Sequence, residues 1–105
     1  MSIQYPYPKT ALAALLIGAG RKYHLNKTQL ATALNVHYST LIVHLYYKDK
    51  GISLQTFMNL AEGLCELNKM PISYNLNQLY QAIKQGNIIN DEKEDRYKKL
   101  GIYRP

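Results

Sequence analysis

The sequence predicts an all-α domain of five helices with a short C-terminal helical extension. Apolar residues recur at spacings of three and four along most of the chain, as on one face of a helix. Residues suited to helix caps and helix ends separate these segments. No convincing period-two alternation, which is typical of strands, occurs in the 105 residues. We expect residues 1–70 to form the main domain and residues 71–105 the extension.

The first two helices are bounded by proline and asparagine residues. Helix one is predicted from about Pro8 to Tyr23, because proline suits the first turn of a helix. Asn26 is a good N-cap for helix two, since its side chain can accept a hydrogen bond from a free backbone N–H. Asn35 can take the left-handed conformation that ends a helix. The predicted apolar face of helix two is Leu30, Ala31 and Leu34.

Three further helices follow. Helix three is predicted at about 37–46, and Ser53 is predicted to cap helix four. Residues 66–74 are interpreted as a connector, after which the Asn75 and Gln78 spacing is predicted to cap helix five. The apolar stripe expected on helix four is Phe57, Leu60, Ala61 and Leu64, and on helix five Leu76, Leu79, Tyr80 and Ile83. Gly86 ends helix five, and the acids-then-bases order of residues 91–101 favours a last short helix.

Positive charge is concentrated in the first half of the chain. The sequence has 13 Lys and Arg against 7 Asp and Glu, a net charge of +6. Residues 1–48 contain five of these bases and no acid, whereas residues 62–105 are close to neutral. Excess positive charge favours polyanionic partners, of which nucleic acid is the commonest. The alternative is a surface charged only for solubility.

No pattern of catalytic or metal-binding residues is found. His24, His37 and His44 do not form a ligand spacing with Cys65, and the acids at 91–95 make one solvated run. A single cysteine excludes an intramolecular disulfide and suits a reducing compartment. The apolar residues 11–20 are too short to cross a bilayer and are expected to form the first buried helix. We therefore expect a cytoplasmic protein that is not an enzyme, with no cofactor, metal or membrane partner.

The segments NKTQLATALNVHYSTLIVHL and ISLQTFMNLAEGL resemble the Cro and repressor-type (XRE-like) helix-turn-helix family of small phage, plasmid and mobile-element regulators. The resemblance covers roughly residues 9–67. It implies a lambda-repressor-like fold in which residues 1–70 form a helix-turn-helix DNA-binding domain. The matching residues are Asn26, Leu30, Ala31, Leu34, Val36, Ser39, Thr40, Leu41, Ser53, Leu54, Leu60, Ala61 and Leu64.

This resemblance implies a sequence-specific transcriptional regulator, a repressor, that reads double-stranded DNA as a homodimer. The base-facing positions would be His37, Tyr38, Ser39, Ile42 and Val43 on helix three, which would lie in the major groove. The phosphate-facing positions would be Asn26, Lys27, Thr28, Tyr46, Tyr47, Lys48 and Lys50. Helix five and the C-terminal tail are the segments expected to contact the second subunit or a protein partner. The alternative is that helix five only covers the core.

The chain departs from the family at three places. The groove face has no Arg, Gln or Asn, so we expect an A·T preference or recognition of DNA shape. The family often pairs an Arg in helix one with a Glu after helix three, and Gly20 and Leu45 stand near those positions. His44 replaces an apolar residue. It is expected to be partly buried and hydrogen-bonded in the core, or to leave the core position to Leu45, and a role as a pH sensor or ligand is the alternative.

A second interpretation keeps the fold but not DNA recognition. Leu41 and Leu45 can face the core, which leaves apolar and aromatic residues between 42 and 47 on the outside. Such a face often marks a protein interface. The chain would then be an accessory module that binds another protein.

Overall fold

Five α-helices form the described part of the chain, which comprises residues 4–47 and 51–87 of a computed structural model. They are α1 (Ala11–Lys22), α2 (Lys27–Ala33), α3 (Tyr38–Tyr46), α4 (Leu54–Asn68) and α5 (Ile72–Gln85). Within these ranges no strand occurs, and only one isolated bridge joins Thr10 to Asn87. The predicted all-α class is confirmed. The helix predicted over residues 91–101 lies outside the described residues.

Hydroxyl and amide side chains start three of the helices. The Thr10 hydroxyl accepts a hydrogen bond from the Ala13 N–H at 3.0 Å, so α1 begins at Ala11 and not at Pro8 as predicted. Asn26 and Ser53 cap α2 and α4, as the sequence predicted. The error at Pro8 arose because threonine can satisfy a free backbone N–H, which proline cannot do.

One leucine-rich core joins all five helices. Each of its leucines that is less than 2% exposed contributes about 1.5–3 kcal/mol through burial. α5 supplies Leu79 and Ala82 to this core and packs against α1 and α4, and the predicted boundary between residues 70 and 71 falls in the turn before it. The fully buried leucines are Leu16, Leu30, Leu34, Leu41, Leu45, Leu60 and Leu79.

The turn between α4 and α5 is shorter than the predicted connector. α4 continues to Asn68, Lys69 takes a left-handed conformation with φ of 59°, and α5 starts at Ile72. The predicted cap at Asn75 is wrong, because Asn75 lies inside α5 and is 1% exposed. Its Nδ2 group donates to Cys65 Sγ at 3.2 Å, and its Oδ1 accepts from Asn68 Nδ2 at 2.8 Å. These partners on α4 allow a buried polar side chain in the middle of a helix.

The core face of α5 also differs from the predicted stripe. Leu79 is buried and Leu76 and Ile83 pack at the edge of the core, but Tyr80 is 54% exposed. Tyr80 instead lies near Lys84, whose Nζ is 5.9 Å from its ring centroid. Ala82 takes the buried position. A spacing of three or four residues allows either Tyr80 or Ala82 to face the core. The smaller Ala82 is buried because α5 packs close to its neighbouring helices.

Candidate nucleic-acid interface

A tight turn joins α2 to α3. Asn35 has φ of 57°, which confirms the predicted left-handed conformation at the end of α2. The Val36 N–H then donates to the Ala31 carbonyl oxygen at 3.1 Å, and the Val36 side chain packs against the core. His37 is extended and precedes the first residue of α3. These bonds fix the direction in which α3 leaves α2.

The inner side of α3 is anchored and its outer side is accessible. Leu41 and Leu45 are buried in the core, as expected. His37, Tyr38 and Ser39 are exposed together at the start of α3, and Ile42 and Val43 are half-buried. The five predicted base-facing residues therefore keep accessible surface, with the most exposed of them at the N-terminal end of the helix.

A lysine from α2 meets a tyrosine from α3. Lys27 Nζ donates to the Tyr46 hydroxyl at 2.7 Å and lies 5.2 Å from the centroid of the Tyr46 ring. This hydrogen bond is the main reason that the pKa of Lys27 is raised above its usual value. The ammonium group therefore stays positively charged at neutral pH, and two predicted phosphate-facing residues from different helices are brought together.

The other predicted phosphate-facing residues have varied surroundings. Asn26 is engaged in a capping box: its Oδ1 accepts from the Gln29 N–H at 2.8 Å, and its own N–H donates to Gln29 Oε1 at 2.9 Å. Thr28 is exposed, and Tyr47 is 55% exposed. Lys48 and Lys50 lie outside the described residues. The capping role of Gln29 was not predicted, although Gln29 follows Asn26 at the same three-residue spacing that predicted a cap at Asn75.

Tyr5, like Gln29, makes a structural contact that was not predicted from the sequence. Its hydroxyl donates to the Leu25 carbonyl oxygen, and its ring fills the space beside Gly20. Burial raises the pKa of Tyr5, while the positive charges of Lys27 and Arg21 act in the opposite direction. An aromatic side chain thus packs near the position where the resembled family often has an arginine. No local pattern around Tyr5 predicts this long-range contact.

A polar groove runs between the start of α3 and the start of α4. Its described lining residues include no charged side chain, but they do include hydroxyl, amide and imidazole groups that can donate or accept hydrogen bonds. Most of these residues were not predicted, because they come from separate helices that only the tertiary packing brings together. The polar lining residues are Thr32, Asn35, His37, Thr40, Ser53, Gln55, Thr56 and Asn59.

His44 is buried among apolar groups, as expected, and is 7% exposed. It makes no side-chain hydrogen bond to the described residues, so the expected hydrogen bond in the core is absent there. Burial lowers the pKa of His44 below its usual value, because the charged imidazolium would lose its hydration. Leu45 is also buried, so both neighbouring side chains occupy the inner side of α3.

The buried imidazole should make stability depend on pH. The unfolded chain takes up this proton near pH 6.5, whereas the folded chain does so only at lower pH. We expect the free energy of unfolding to be fully retained above about pH 6.5 and to fall as the pH drops below that value. Urea unfolding at pH 5, 6 and 7.5 measures this. The dependence should weaken in His44→Phe and persist in His37→Gln, and an unchanged slope in His44→Phe would contradict it.

Residues 4–47 and 51–87 contain neither a metal-binding cluster nor a membrane-spanning helix. No group of three or more His, Cys, Asp or Glu side chains is close enough to hold a metal ion in these ranges. No helix there combines the length and the apolar character that crossing a bilayer requires.

Comparisons with known proteins gave no match. No family model, no curated protein and no solved structure is significantly similar to this chain. The resemblance to Cro and repressor-type regulators therefore depends on the quoted residues alone.

Proposed function

We propose that this protein binds double-stranded DNA through the α2–α3 unit, meaning α2, the turn at 34–37 and α3, and represses transcription there. The observation that carries the proposal is the anchoring of α3 by Leu41 and Leu45. It leaves His37, Tyr38 and Ser39 exposed at one helix end. A helix that inserts its N-terminal end into the major groove needs this arrangement. Bound at a promoter, the protein would obstruct polymerase.

The distribution of charge supports the same surface. Residues 1–48 contain no acid, so no carboxylate from this half of the chain opposes a phosphate backbone. Lys27 is held beside Tyr46, and an amphipathic tyrosine next to an ammonium group can support a phosphate contact. Phosphate contacts would supply most of the affinity and its dependence on salt.

Base recognition would be modest and would favour A·T pairs. Ser39 and His37 can exchange hydrogen bonds with base edges. Ile42 and Val43 are half-buried and offer only apolar contact, which suits the methyl group of thymine. The polar groove beside α3 adds hydroxyl and amide groups that can bond to sugar and phosphate oxygens.

A homodimer would place two such units on one DNA site. On α5, Ile72, Tyr74 and Tyr80 are each more than 40% exposed. Tyrosine and isoleucine are suited to an interface core. We expect Ile72→Ser with Tyr80→Ser to give a monomer by light scattering, while a chain ending at Asn87 stays dimeric. The opposite result would assign the contact to residues 88–105.

A protein interface is the second candidate function. Tyr38 is 47% exposed and Tyr47 is 55% exposed, and both lie at the ends of α3 with half-buried Ile42 and Val43 between them. This aromatic and apolar surface could bind a protein without DNA. A protein partner would tolerate loss of the Lys27 charge better than DNA would.

Selection of duplexes from a random pool, followed by affinity measurements against salt, tests the proposal. A recovered palindrome bound about a thousandfold more tightly than random DNA supports a dimeric sequence-specific regulator. Recovery of only A·T-rich DNA, with a steep salt slope, supports shape recognition instead. Failure to bind any duplex at low salt would contradict DNA binding and leave the protein interface as the function.

A further inference from the structure

A partly open cavity lies behind α3, and its lining is more apolar than polar, with Thr10, His44, Tyr47 and Asn87 as the polar residues. It has a volume of about 180 Å³ and lies where α1, α3 and α5 meet the residues that precede α4. Its apolar side chains are Leu12, Ile52, Ala82 and Ile83. Among the lining residues that the structure describes there is no Lys, Arg, Asp or Glu, so an ion would find no countercharge on them. The cavity is therefore suited to a neutral and mostly apolar molecule.

His44 supplies hydrogen-bonding capacity that the protein leaves unused. It is 93% buried, since only 7% of it is exposed, and it makes no hydrogen bond within the described chain. No fully buried side-chain nitrogen or oxygen in the described residues lacks a partner. The His44 ring nitrogens therefore keep some accessible surface, and His44 is one of the residues that line the cavity. A ligand hydroxyl group could therefore form a hydrogen bond with one of these nitrogens.

We propose that this cavity is a binding site for small neutral aromatic alcohols, the class of phenol. A cavity of about 150 Å³ with an apolar lining accommodates benzene, so this cavity of 180 Å³ has room for one ring with a hydroxyl group. The hydroxyl group donates to the unprotonated nitrogen of the His44 imidazole, and the ring contacts Leu12, Ile52 and Ile83. This binding stands independently of the proposed DNA function, because it requires only the folded chain.

The neutral state of the imidazole fits this ligand. Burial lowers the pKa of His44, so the ring keeps one unprotonated acceptor nitrogen at neutral pH. A carboxylic acid would be ionised under the same conditions and would find no positive partner among the described lining residues. The described part of the lining therefore favours a neutral ligand over an ionised one.

Phenol and toluene, which differ by one hydroxyl in place of a methyl group, are the probes for the test. Each probe is titrated into the full chain. Binding is measured by calorimetry and by the NMR chemical shifts of the backbone amides of α1, α3 and α5. We expect phenol to bind with a dissociation constant of about 1 mM or below. In His44→Phe, which keeps a ring of similar shape, the ratio of phenol affinity to toluene affinity should fall by about tenfold.

Two further variants locate the site. Ala82→Met places a larger side chain in the cavity wall and should abolish binding of both probes, whereas Gln81→Met on the exposed side of α5 should leave both unchanged. The proposal is overturned if phenol does not bind the wild-type chain, if the affinity ratio is the same in His44→Phe, or if shifts appear away from these helices. Amide spectra of each variant show whether it is folded. If Ala82→Met is not folded, the affinity ratio measured in His44→Phe is sufficient to test the proposal.

Discussion

Alanine at Gly63 is expected to lower the free energy of unfolding by about 2–3 kcal/mol, although alanine is normally the better helix former. α4 crosses α2 at this glycine. A Cβ atom there would lie 2.5 Å from the Ala33 carbonyl oxygen and 2.5 Å from Leu34 Cα. Both are backbone atoms, which cannot rotate away as a flexible side chain could. α2 would have to move off α4, and the loss shows as a lower urea midpoint at unchanged m value.

Gly18→Ala is the matched control for this effect. Gly18 also lies within a helix, but a Cβ atom there meets no atom within 4 Å. Because only helix propensity changes, Gly18→Ala should raise the free energy of unfolding by about 0.5–1 kcal/mol. If Gly63→Ala does not lower the free energy of unfolding by more than Gly18→Ala changes it, α2 and α4 are not in such close contact.

The second large effect is expected on DNA affinity. Substitutions in the proposed interface should distinguish contacts with bases from contacts with phosphates. Tyr38→Ala or Ser39→Ala should weaken binding to the preferred site by about 1–3 kcal/mol and leave binding to random DNA nearly unchanged. Both side chains are exposed at the start of α3 and do not support the core, so the fold is retained. Equal losses on both DNAs would argue against a reading role for α3.

Lys27→Ala should weaken binding to all duplexes alike. Removing one phosphate contact lowers the slope of log affinity against log salt by about 0.9. Lys84→Ala on α5 is the matched control, because it removes the same charge outside the α2–α3 unit. Fluorescence anisotropy over a series of salt concentrations measures both. An identical slope change in the two variants would mean that only net charge matters.

The sequence alone determined the class of the fold and the positions of most helix starts. Asn26, Asn35 and Ser53 act on their own backbone neighbours, and such contacts span only a few residues. Apolar spacing identified Leu30 and Leu60 as core residues, because the period of a helix fixes which side chains share one face. The residues of the proposed interface came instead from the resemblance to Cro and repressor-type regulators.

Only the tertiary structure decided the features that depend on contacts between distant segments. The pairing of Lys27 with Tyr46 joins residues from two helices, and the contact of Tyr5 with Leu25 joins the first segment to the residues before α2. Asn75 was mistaken for a cap because its partners lie on α4, across the turn. The cavity beside His44 likewise exists only where several elements meet, and no spacing along the chain encodes the shape left between them.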